Sequence, residues 1–284
     1  MRIFVAGGTG AIGRFLIPLL VQAGHQVTAT TRSPERVHGL REAGAEGVVV
    51  DVFDRDALAA AVAAAAPEAV IHQLTSLSGG DMAQHARIRR EGTRNLVDAA
   101  VKAGVGTFVA QSISWVYEGG DGLAEEQVPL DLSAPKPRAN VVGGVAALED
   151  AVTSGGFERH VILRFGIFYG PGTWYVPGSL MADNLAAGSL PANDAVSSFV
   201  HTSDAAEATV LALDWPSGPV NVVDDEPAPA REWVPVLAKA LDRPAPEPTS
   251  GREAWERGAS NVYAKKLGWT PSHPTWRTGF FAVD

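Results

Sequence analysis

Short apolar runs alternate with amphipathic segments along the first 165 residues of the chain. Residues 3–6 form the first apolar run, and residues 12–23 repeat apolar side chains at helical spacing. Further strands are predicted at residues 26–30, 47–50, 69–74, 107–111 and 160–165, and further helices at residues 56–66, 87–103 and 141–153. Strands that alternate with helices predict an α/β fold with a doubly wound parallel sheet covered by helices on both faces.

Composition narrows the classes of partner. The chain has no cysteine, so disulfides and thiolate metal sites are excluded. Its formal net charge is −9. Nucleic acid and anionic membranes are therefore not expected as partners, because both require a basic protein face. No apolar run is long enough to span a bilayer, and the N-terminus lacks the parts of a signal peptide. We therefore expect a cytoplasmic protein that is a monomer or a homodimer.

A glycine-rich turn follows the first predicted strand and opens the first predicted helix. Glycine allows a turn that a Cβ would block, lets the backbone approach a pyrophosphate, and lets the helix pack closely on the strand. The free N–H groups at the helix N-terminus would then face the phosphates. A purely structural turn is disfavoured by the strand–turn–helix context, so a Rossmann-type dinucleotide site is predicted. Its residues are Gly7, Thr9, Gly10, Ala11, Ile12 and Gly13.

The end of the second strand predicts which dinucleotide binds. An NAD site usually has an acidic residue there for the ribose 2′-hydroxyl, but Arg32 follows this strand and no acid precedes Glu35. The planar guanidinium of Arg32 matches a 2′-phosphate, so NADP(H) is the predicted cofactor, although Arg32 could also be a solvated loop residue. Other predicted cofactor contacts lie at later strand ends: Asp51, Val52, Leu74, Thr75, Gln111, Phe165, Gly166 and Phe168.

The second part of the chain is less regular. Residues 169–195 are rich in Gly, Pro and Trp, and residues 226–248 contain a short helix between prolines. We predict one domain over residues 1–284 that adds a smaller C-terminal substrate-binding lobe to the sheet. The cofactor-binding core would cover about residues 1–168 with returns near 195–225, and the lobe would cover about 169–195 and 226–284.

Several segments together resemble the extended or atypical short-chain dehydrogenase/reductases of the epimerase/dehydratase type. Besides the glycine turn, they are Asp51-Val52, residues 91–96, residues 163–172, residues 199–204 and residues 267–269. The resemblance implies a Tyr and, four residues later, a Lys that lowers the pKa of the Tyr. These positions coincide here with Val141 and Val145, and no Tyr-x-x-x-Lys occurs in the chain.

Two further catalytic positions of the family also differ. The family Ser coincides with Ile113, flanked by Ser112 and Ser114, and a slip of one residue would restore either serine. The family Asn coincides with Arg89. Ser112 and Ser114 are therefore the candidate catalytic residues. The resemblance also gives His201 and Asp204 a structural role next to a helix N-cap, so no metal is predicted.

Two functions remain open. The first is NADPH-dependent reduction of a ketone on a bulky apolar substrate, similar to the angucyclinone ketoreductases of actinomycete antibiotic biosynthesis, which act on aromatic polyketides. The proton would come from a serine, from water or from a phenol of the substrate. Residues 170–195 would cover the pocket, and the predicted substrate contacts are Trp115, Trp174, Tyr169 and Met181. The alternative is a non-catalytic NADP-binding redox sensor similar to the NmrA-like regulators.

Overall fold

The computed structural model describes residues 1–75 and 82–281 of the 284-residue chain. The strands are β1 (Arg2–Ala6), β2 (Gln26–Thr31), β3 (Glu46–Val49), β4 (Ala69–His72), β5 (Thr107–Ile113), β6 (Arg159–Phe165), β7 (Ile167–Tyr169), β8 (Val196–Ser197), β9 (Phe199–His201), β10 (Gly218–Val222) and β11 (Ala228–Pro229).

The helices are α1 (Gly13–Gln22), α2 (Val37–Glu42), α3 (Arg55–Ala65), α4 (Met82–Arg87), α5 (Thr93–Lys102), α6 (Arg138–Thr153), α7 (Leu180–Ala186), α8 (Thr202–Leu211), α9 (Ala230–Ala240), α10 (Val262–Lys266) and α11 (Trp276–Gly279). A 3₁₀ turn covers Pro34–Arg36, and a π-helical turn, Ile88–Gly92, joins α4 to α5. None of the helices in the described ranges is long and apolar enough to cross a membrane.

Seven strands form the main sheet in the order β10-β6-β5-β4-β1-β2-β3. Strand β1 pairs in parallel with both β2 and β4, β2 with β3, and β4 with β5. All four residues of β4 are buried, as expected for a parallel strand covered on both faces. The chain leaves β1 first toward β2 and later toward β4, which is the strand order of a Rossmann fold. The predicted α/β class is confirmed.

Local sequence explains where several elements begin and end. Helix α3 begins after Asp54, whose side chain accepts a 3.0 Å hydrogen bond from the N–H of Ala57. It ends at Ala65, and the following residue, Ala66, has a left-handed φ of 42°. The strand predicted at residues 69–74 ends at His72, two residues early. The helix predicted at 87–103 is present, but it begins five residues earlier and contains a π-helical turn, since α4, that turn and α5 follow one another without a break.

The chain divides into two compact units. Unit 1 comprises Met1–Ser112, Leu132–Leu163 and Ala206–Pro219, and unit 2 comprises Ile113–Asp131, Arg164–Ala205 and Val220–Asp284. The core of unit 1 packs α3, α5 and α6 against the sheet through residues such as Phe4, Leu96 and Phe108. The core of unit 2 is aromatic and includes Tyr169, Phe199, Trp233, Trp276 and Phe280.

Candidate functional site

The glycine turn after β1 has backbone geometry that other residues would disrupt. Gly7 has a φ of +92°, and a Cβ there would lie 2.6 Å from the carbonyl oxygen of Gln73. A Cβ at Gly13 would lie 2.2 Å from the carbonyl oxygen of Gly8, so the first residue of α1 packs directly on the turn. The two glycines thus provide the sharp turn and the close helix approach that the sequence predicts.

The side of the turn around Gly10 is open. The nearest atom to a Cβ built there is the carbonyl oxygen of Gly7, at 3.5 Å. Helix α1 begins after Ile12 without a side-chain cap and with no acidic residue in its first turn. The N–H groups of Arg14 and Phe15 already donate to the carbonyls of Gly10 and Ile12. The N–H of Gly13, the first residue of the helix, has no acceptor in the described part of the chain and can donate to an anion. This arrangement fits the pyrophosphate of a dinucleotide.

Strand β2 is tied to the glycine turn by hydrogen bonds. The N–H of Gly7 donates to Thr30 Oγ1 at 3.1 Å, and the N–H of Gly8 donates to the Thr30 carbonyl at 3.0 Å. Arg32 follows the strand, is exposed, and makes no hydrogen bond or ion pair with the residues that the structure describes. Its guanidinium is thus available to a ligand beside the turn.

Glu35, the acid nearest to Arg32 along the chain, accepts hydrogen bonds from neighbouring groups. A hydrogen bond from its own backbone N–H and a second from the Ser33 side chain hold the pKa of Glu35 below its ordinary value. A 2′-phosphate beside Arg32 would thus meet a cation and not an unpaired acid.

The other predicted cofactor contacts lie near strand ends. Asp51 is exposed and its Oδ1 accepts from the N–H of Phe53 at 2.9 Å, whereas Val52 is buried in the core of unit 1. Leu74 and Thr75 follow β4 and are half-buried, and Gln111 is buried within β5. Phe165 and Phe168 belong to unit 2, where their rings are 5.3 Å apart and flank Gly166. Contact between these residues and a cofactor stays a prediction.

Helix α6 carries an apolar pair where the family resemblance places Tyr and Lys. Val141 is half-buried and Val145 is fully buried. Neither side chain can give or take a proton. One turn further, Glu149 is buried and its Oε1 accepts a 2.7 Å hydrogen bond from the Ser112 hydroxyl. The proton of Ser112 is therefore directed at Glu149, a partner that sequence reasoning did not identify.

Ser114 has a different environment. It lies in unit 2, directly after β5, where its N–H donates to the Phe165 carbonyl at 2.9 Å. Its side chain lines a cavity of about 250 Å³ within this unit. The other lining residues are Trp115, Tyr117, Ile167, Ala195, Val196, Ser197, Ser198, Trp255, Glu256, Arg257 and Gly258.

Two tryptophans give the cavity its aromatic character. Trp115 was predicted near the substrate, whereas Trp255 was not among the predicted substrate contacts. No local signal links these residues, because 140 positions separate them and loops bring both to the cavity. Arg257 is not a free cation, since its guanidinium donates to the carbonyls of Gly122 and Asp121, each at 2.7 Å.

Three predicted substrate residues are placed in or against the aromatic core of unit 2. Tyr169 is fully buried, its hydroxyl donates to the His273 carbonyl at 3.3 Å, and burial raises its pKa far above the ordinary value. Met181 belongs to the same core on α7, and Trp174 packs against it. Within the described residues, none of the three lines the cavity beside Trp115.

His201, Asp204 and His273 bring three potential metal-ligating side chains within 4.8 Å of one another. Their polar atoms already bond to protein groups. Asp204 accepts from the N–H of His273 at 2.8 Å and bonds its ring at 2.9 Å, while His201 bonds Ser203 at 2.7 Å. The cluster connects α8 to the loop before α11, which agrees with the structural role expected from the sequence.

Comparison with known proteins identifies the family of the chain and finds reductases among its relatives. A model of the NAD dependent epimerase/dehydratase family matches residues 3–223. The chain is 40% identical to a 3-diazoavenalumate denitrifying reductase from a Streptomyces species, over 98% of this chain and 99% of the relative. It is 29% identical to a 2-alkyl-3-oxoalkanoate reductase from Stenotrophomonas maltophilia, over 86% of this chain and 77% of the relative.

Solved structures share the fold over the whole chain. The UDP-glucose 4-epimerase of Thermus thermophilus, in complex with NAD, has a TM-score of 0.76 at 25% identity and covers 100% of this chain and 97% of its own. The Bordetella bronchiseptica enzyme WbmG, in complex with NAD and UDP, has a TM-score of 0.77 at 21% identity, with 99% and 92% covered. Both likenesses agree with the strand order described above.

Proposed function

Because the chain belongs to the NAD dependent epimerase/dehydratase family, we propose that it is an NADPH-dependent reductase of an aromatic diazo compound. The observation that carries this proposal is helix α6, where Val141 and Val145 leave no proton donor at the positions of the family Tyr and Lys. The reaction must then be one that needs no acid from this helix. The Streptomyces relative is named for such a reduction, the denitrification of a diazo compound.

Diazo reduction does not require the proton donor that ketone reduction requires. A ketone becomes an alkoxide that needs a proton, and general acid catalysis is worth about 10²–10⁴-fold. When bound, NADPH would supply a hydride to an aryl diazonium group, so that the C–N bond breaks, N₂ leaves, the ring carbon gains hydrogen and NADP⁺ forms. The loss of N₂ takes the place of the protonation step. What remains for the protein is to bind, orient and exclude water.

The cavity of unit 2 supports an aromatic substrate. Its volume of about 250 Å³ is close to that of a small ligand pocket, and Trp115, Trp255 and Ile167 present apolar surface to it. Flat tryptophan rings favour stacked or edge-on contact with another aromatic ring. Ser114 is the hydroxyl group that would orient a polar substituent of such a ring.

The cofactor choice rests on unit 1. The glycine turn fits a pyrophosphate, and the guanidinium of Arg32 near it bonds to none of the residues that the structure describes. A cation at the end of β2 favours the 2′-phosphate of NADP over the 2′-hydroxyl of NAD. We therefore propose NADPH as the reductant, bound through the glycine turn and Arg32.

Ketone reduction is the second candidate, and the 2-alkyl-3-oxoalkanoate reductase among the relatives favours it. In that reaction Ser114, water or a phenol on the substrate would protonate the alkoxide, and an angucyclinone-like aromatic polyketide supplies such a phenol. A redox sensor would bind NADPH without oxidising it. One experiment separates all three functions.

The experiment incubates the purified chain with NADPH deuterated at nicotinamide C4 and with 3-diazoavenalumate or an aromatic polyketide ketone. We expect one NADPH oxidised per N₂ released from the diazo compound, with deuterium on the ring carbon by mass spectrometry. The Ser114→Ala variant should retain this rate within about threefold, because no acid is required. Oxidation with the ketone alone would favour the second candidate, and no oxidation with either compound would favour the sensor.

A further inference from the structure

Arg89 is a buried cation with no partner among the residues that the structure describes. It is only 8% exposed and lies in the π-helical turn Ile88–Gly92 of unit 1. It makes no hydrogen bond, ion pair or ring contact with any residue in the ranges 1–75 and 82–281. Burying a charge in this way is strongly unfavourable unless something compensates it. Arg257 shows the ordinary solution, since loop carbonyls accept from its guanidinium.

Helix α6 lies against the stem of Arg89. A Cβ at Gly144 would lie 3.6 Å from Cδ of Arg89, which is van der Waals contact. A Cβ at the neighbouring Gly143 would lie 3.2 Å from Nη2 of Arg90, which is itself exposed. Two arginine side chains therefore lie beside the helix that carries Val141 and Val145.

The two described titratable groups close to Arg89 in sequence, His85 and Glu91, do not compensate its charge. Burial and the nearby charge of Arg89 lower the pKa of His85 to about 4, which leaves this histidine neutral. The acid within the π-helical turn, Glu91, is exposed and accepts from Arg87 at 2.8 Å. Burial lowers the pKa of Arg89 itself only to about 10, so the guanidinium stays protonated at neutral pH.

A buried histidine nitrogen in the same region also lacks a hydrogen bond. His72 ends strand β4, is fully buried, and its Nδ1 has no hydrogen-bond partner among the described residues. Its Nε2 lies 2.9 Å from Thr93 Oγ1, which donates to the carbonyl of Ile88 in the π-helical turn. This chain of contacts links the turn to the carboxyl end of β4. Parallel α/β sheets bind ligands at that end, and π-helical turns occur often at functional sites.

We propose that Arg89 binds an oxyanion of a ligand, either a carboxylate or a phosphate. The planar fork of a guanidinium matches both groups and forms two parallel hydrogen bonds with them. The exclusion of water around Arg89 strengthens this attraction. A carboxylate would belong to the proposed aromatic substrate, so this version of the proposal rests on the proposed function. A phosphate would belong to the dinucleotide, and this version does not depend on the reaction.

The first test is the stability of the ligand-free chain. Arg89→Met keeps the length of the side chain and removes the charge, and Arg94→Met does the same at an exposed arginine of α5. A buried arginine whose charge is compensated only when a ligand binds destabilises the ligand-free protein. Arg89→Met should therefore raise the melting temperature by about 2 °C or more. The Arg94→Met control should leave it unchanged. A lower melting temperature for Arg89→Met would show a structural role and overturn the proposal.

The second test identifies the source of the oxyanion by binding alone. NADPH is titrated by fluorescence, and 4-hydroxycinnamate and its methyl ester are titrated by calorimetry with NADP⁺ present. If the oxyanion is a carboxylate, Arg89→Met should weaken binding of the acid at least about tenfold. The affinity for the ester should stay within twofold, and the affinity for NADPH should not change. If the oxyanion is a phosphate, the affinity for NADPH should fall by the same factor.

Arg89→Lys keeps the charge without the fork and should lie between the wild type and Arg89→Met. Unchanged affinity for NADPH together with equal affinity for acid and ester, or with no binding of either by the wild type, would overturn the proposal. None of these readouts involves turnover. A chain that failed to reduce a diazo compound would still give a clear result.

Discussion

The hydroxyl of Ser112 donates a 2.7 Å hydrogen bond to Oε1 of Glu149, and both side chains are buried. Ser112→Ala would remove this hydrogen bond from the buried carboxylate. We expect the free energy of unfolding to fall by about 1–3 kcal/mol and the turnover rate to change less than about threefold. Urea unfolding and steady-state kinetics measure the two effects. A rate loss of about a thousandfold would instead identify Ser112 as the proton donor.

Arg32 is predicted to select the cofactor. Arg32→Gln should weaken NADPH binding about 10- to 100-fold, because a charge-assisted pair with the 2′-phosphate is lost. NADH affinity should not change, since NADH has no phosphate there. Fluorescence titration of both dinucleotides measures this, with Arg41→Gln as a control at another exposed arginine. Equal loss for both dinucleotides would contradict the assignment of NADP.

Gly7 is predicted to be essential to the dinucleotide site. Gly7→Ala should lower the free energy of unfolding by at least about 2 kcal/mol and abolish dinucleotide binding, because φ is +92° and the Cβ would meet the Gln73 carbonyl. Gly39→Ala is the matched control, since no atom lies within 4 Å of its Cβ position in helix α2. The control should gain about 0.5–1 kcal/mol. Thermal unfolding with and without NADPH compares them, and a Gly7→Ala variant that still bound NADPH would refute the prediction.

Asp224 is predicted to make the stability depend on pH. It is 1% exposed, its Oδ2 has no hydrogen-bond partner in the described part of the chain, and burial raises its pKa to about 8. Between about pH 4 and pH 8 the folded chain then holds a proton that the unfolded chain has released. Stability should fall as the pH rises through this window, by up to about 1.4 kcal/mol per pH unit, and level off above it.

The side chain in Asp224→Asn stays neutral, so this variant should lack the slope. Its free energy of unfolding should exceed that of the wild type by more at pH 8 than at pH 5. Urea unfolding across this range measures the slope. Asp121→Asn changes an exposed carboxylate and should leave the slope intact. If wild type and Asp224→Asn had parallel pH profiles, Asp224 would be ionised in the folded chain.

The geometry of the glycine turn could be predicted because its residues are adjacent in sequence. A strand, a glycine turn and a helix within the first 23 residues produce this geometry locally, and Arg32 follows the next strand. The parallel sheet with its covering helices followed from the alternation of strands with helices. Helix α6 and the valines it carries were also predictable, since the helical spacing covers most of its length.

The parts that escaped prediction depend on distant segments. Trp255 reaches the cavity through loops 140 residues away from Trp115, and Ser112 bonds Glu149 across 37 positions. Tyr169 and Met181 lie in a segment rich in Gly and Pro, where no periodicity separates a core side chain from one that faces a ligand. Their burial follows from packing on Phe199 and Phe280, which the sequence does not locate.

The π-helical turn Ile88–Gly92 sets the phase between two helices. One residue corresponds to about 100° of rotation, and the turn contributes one residue more than a regular helical turn would. Deleting a residue there would rotate α5 by that angle and redirect Leu96 and Val97, now buried against the sheet, toward solvent. Relatives with a regular helix at this point must therefore carry their apolar positions one step out of register with this chain.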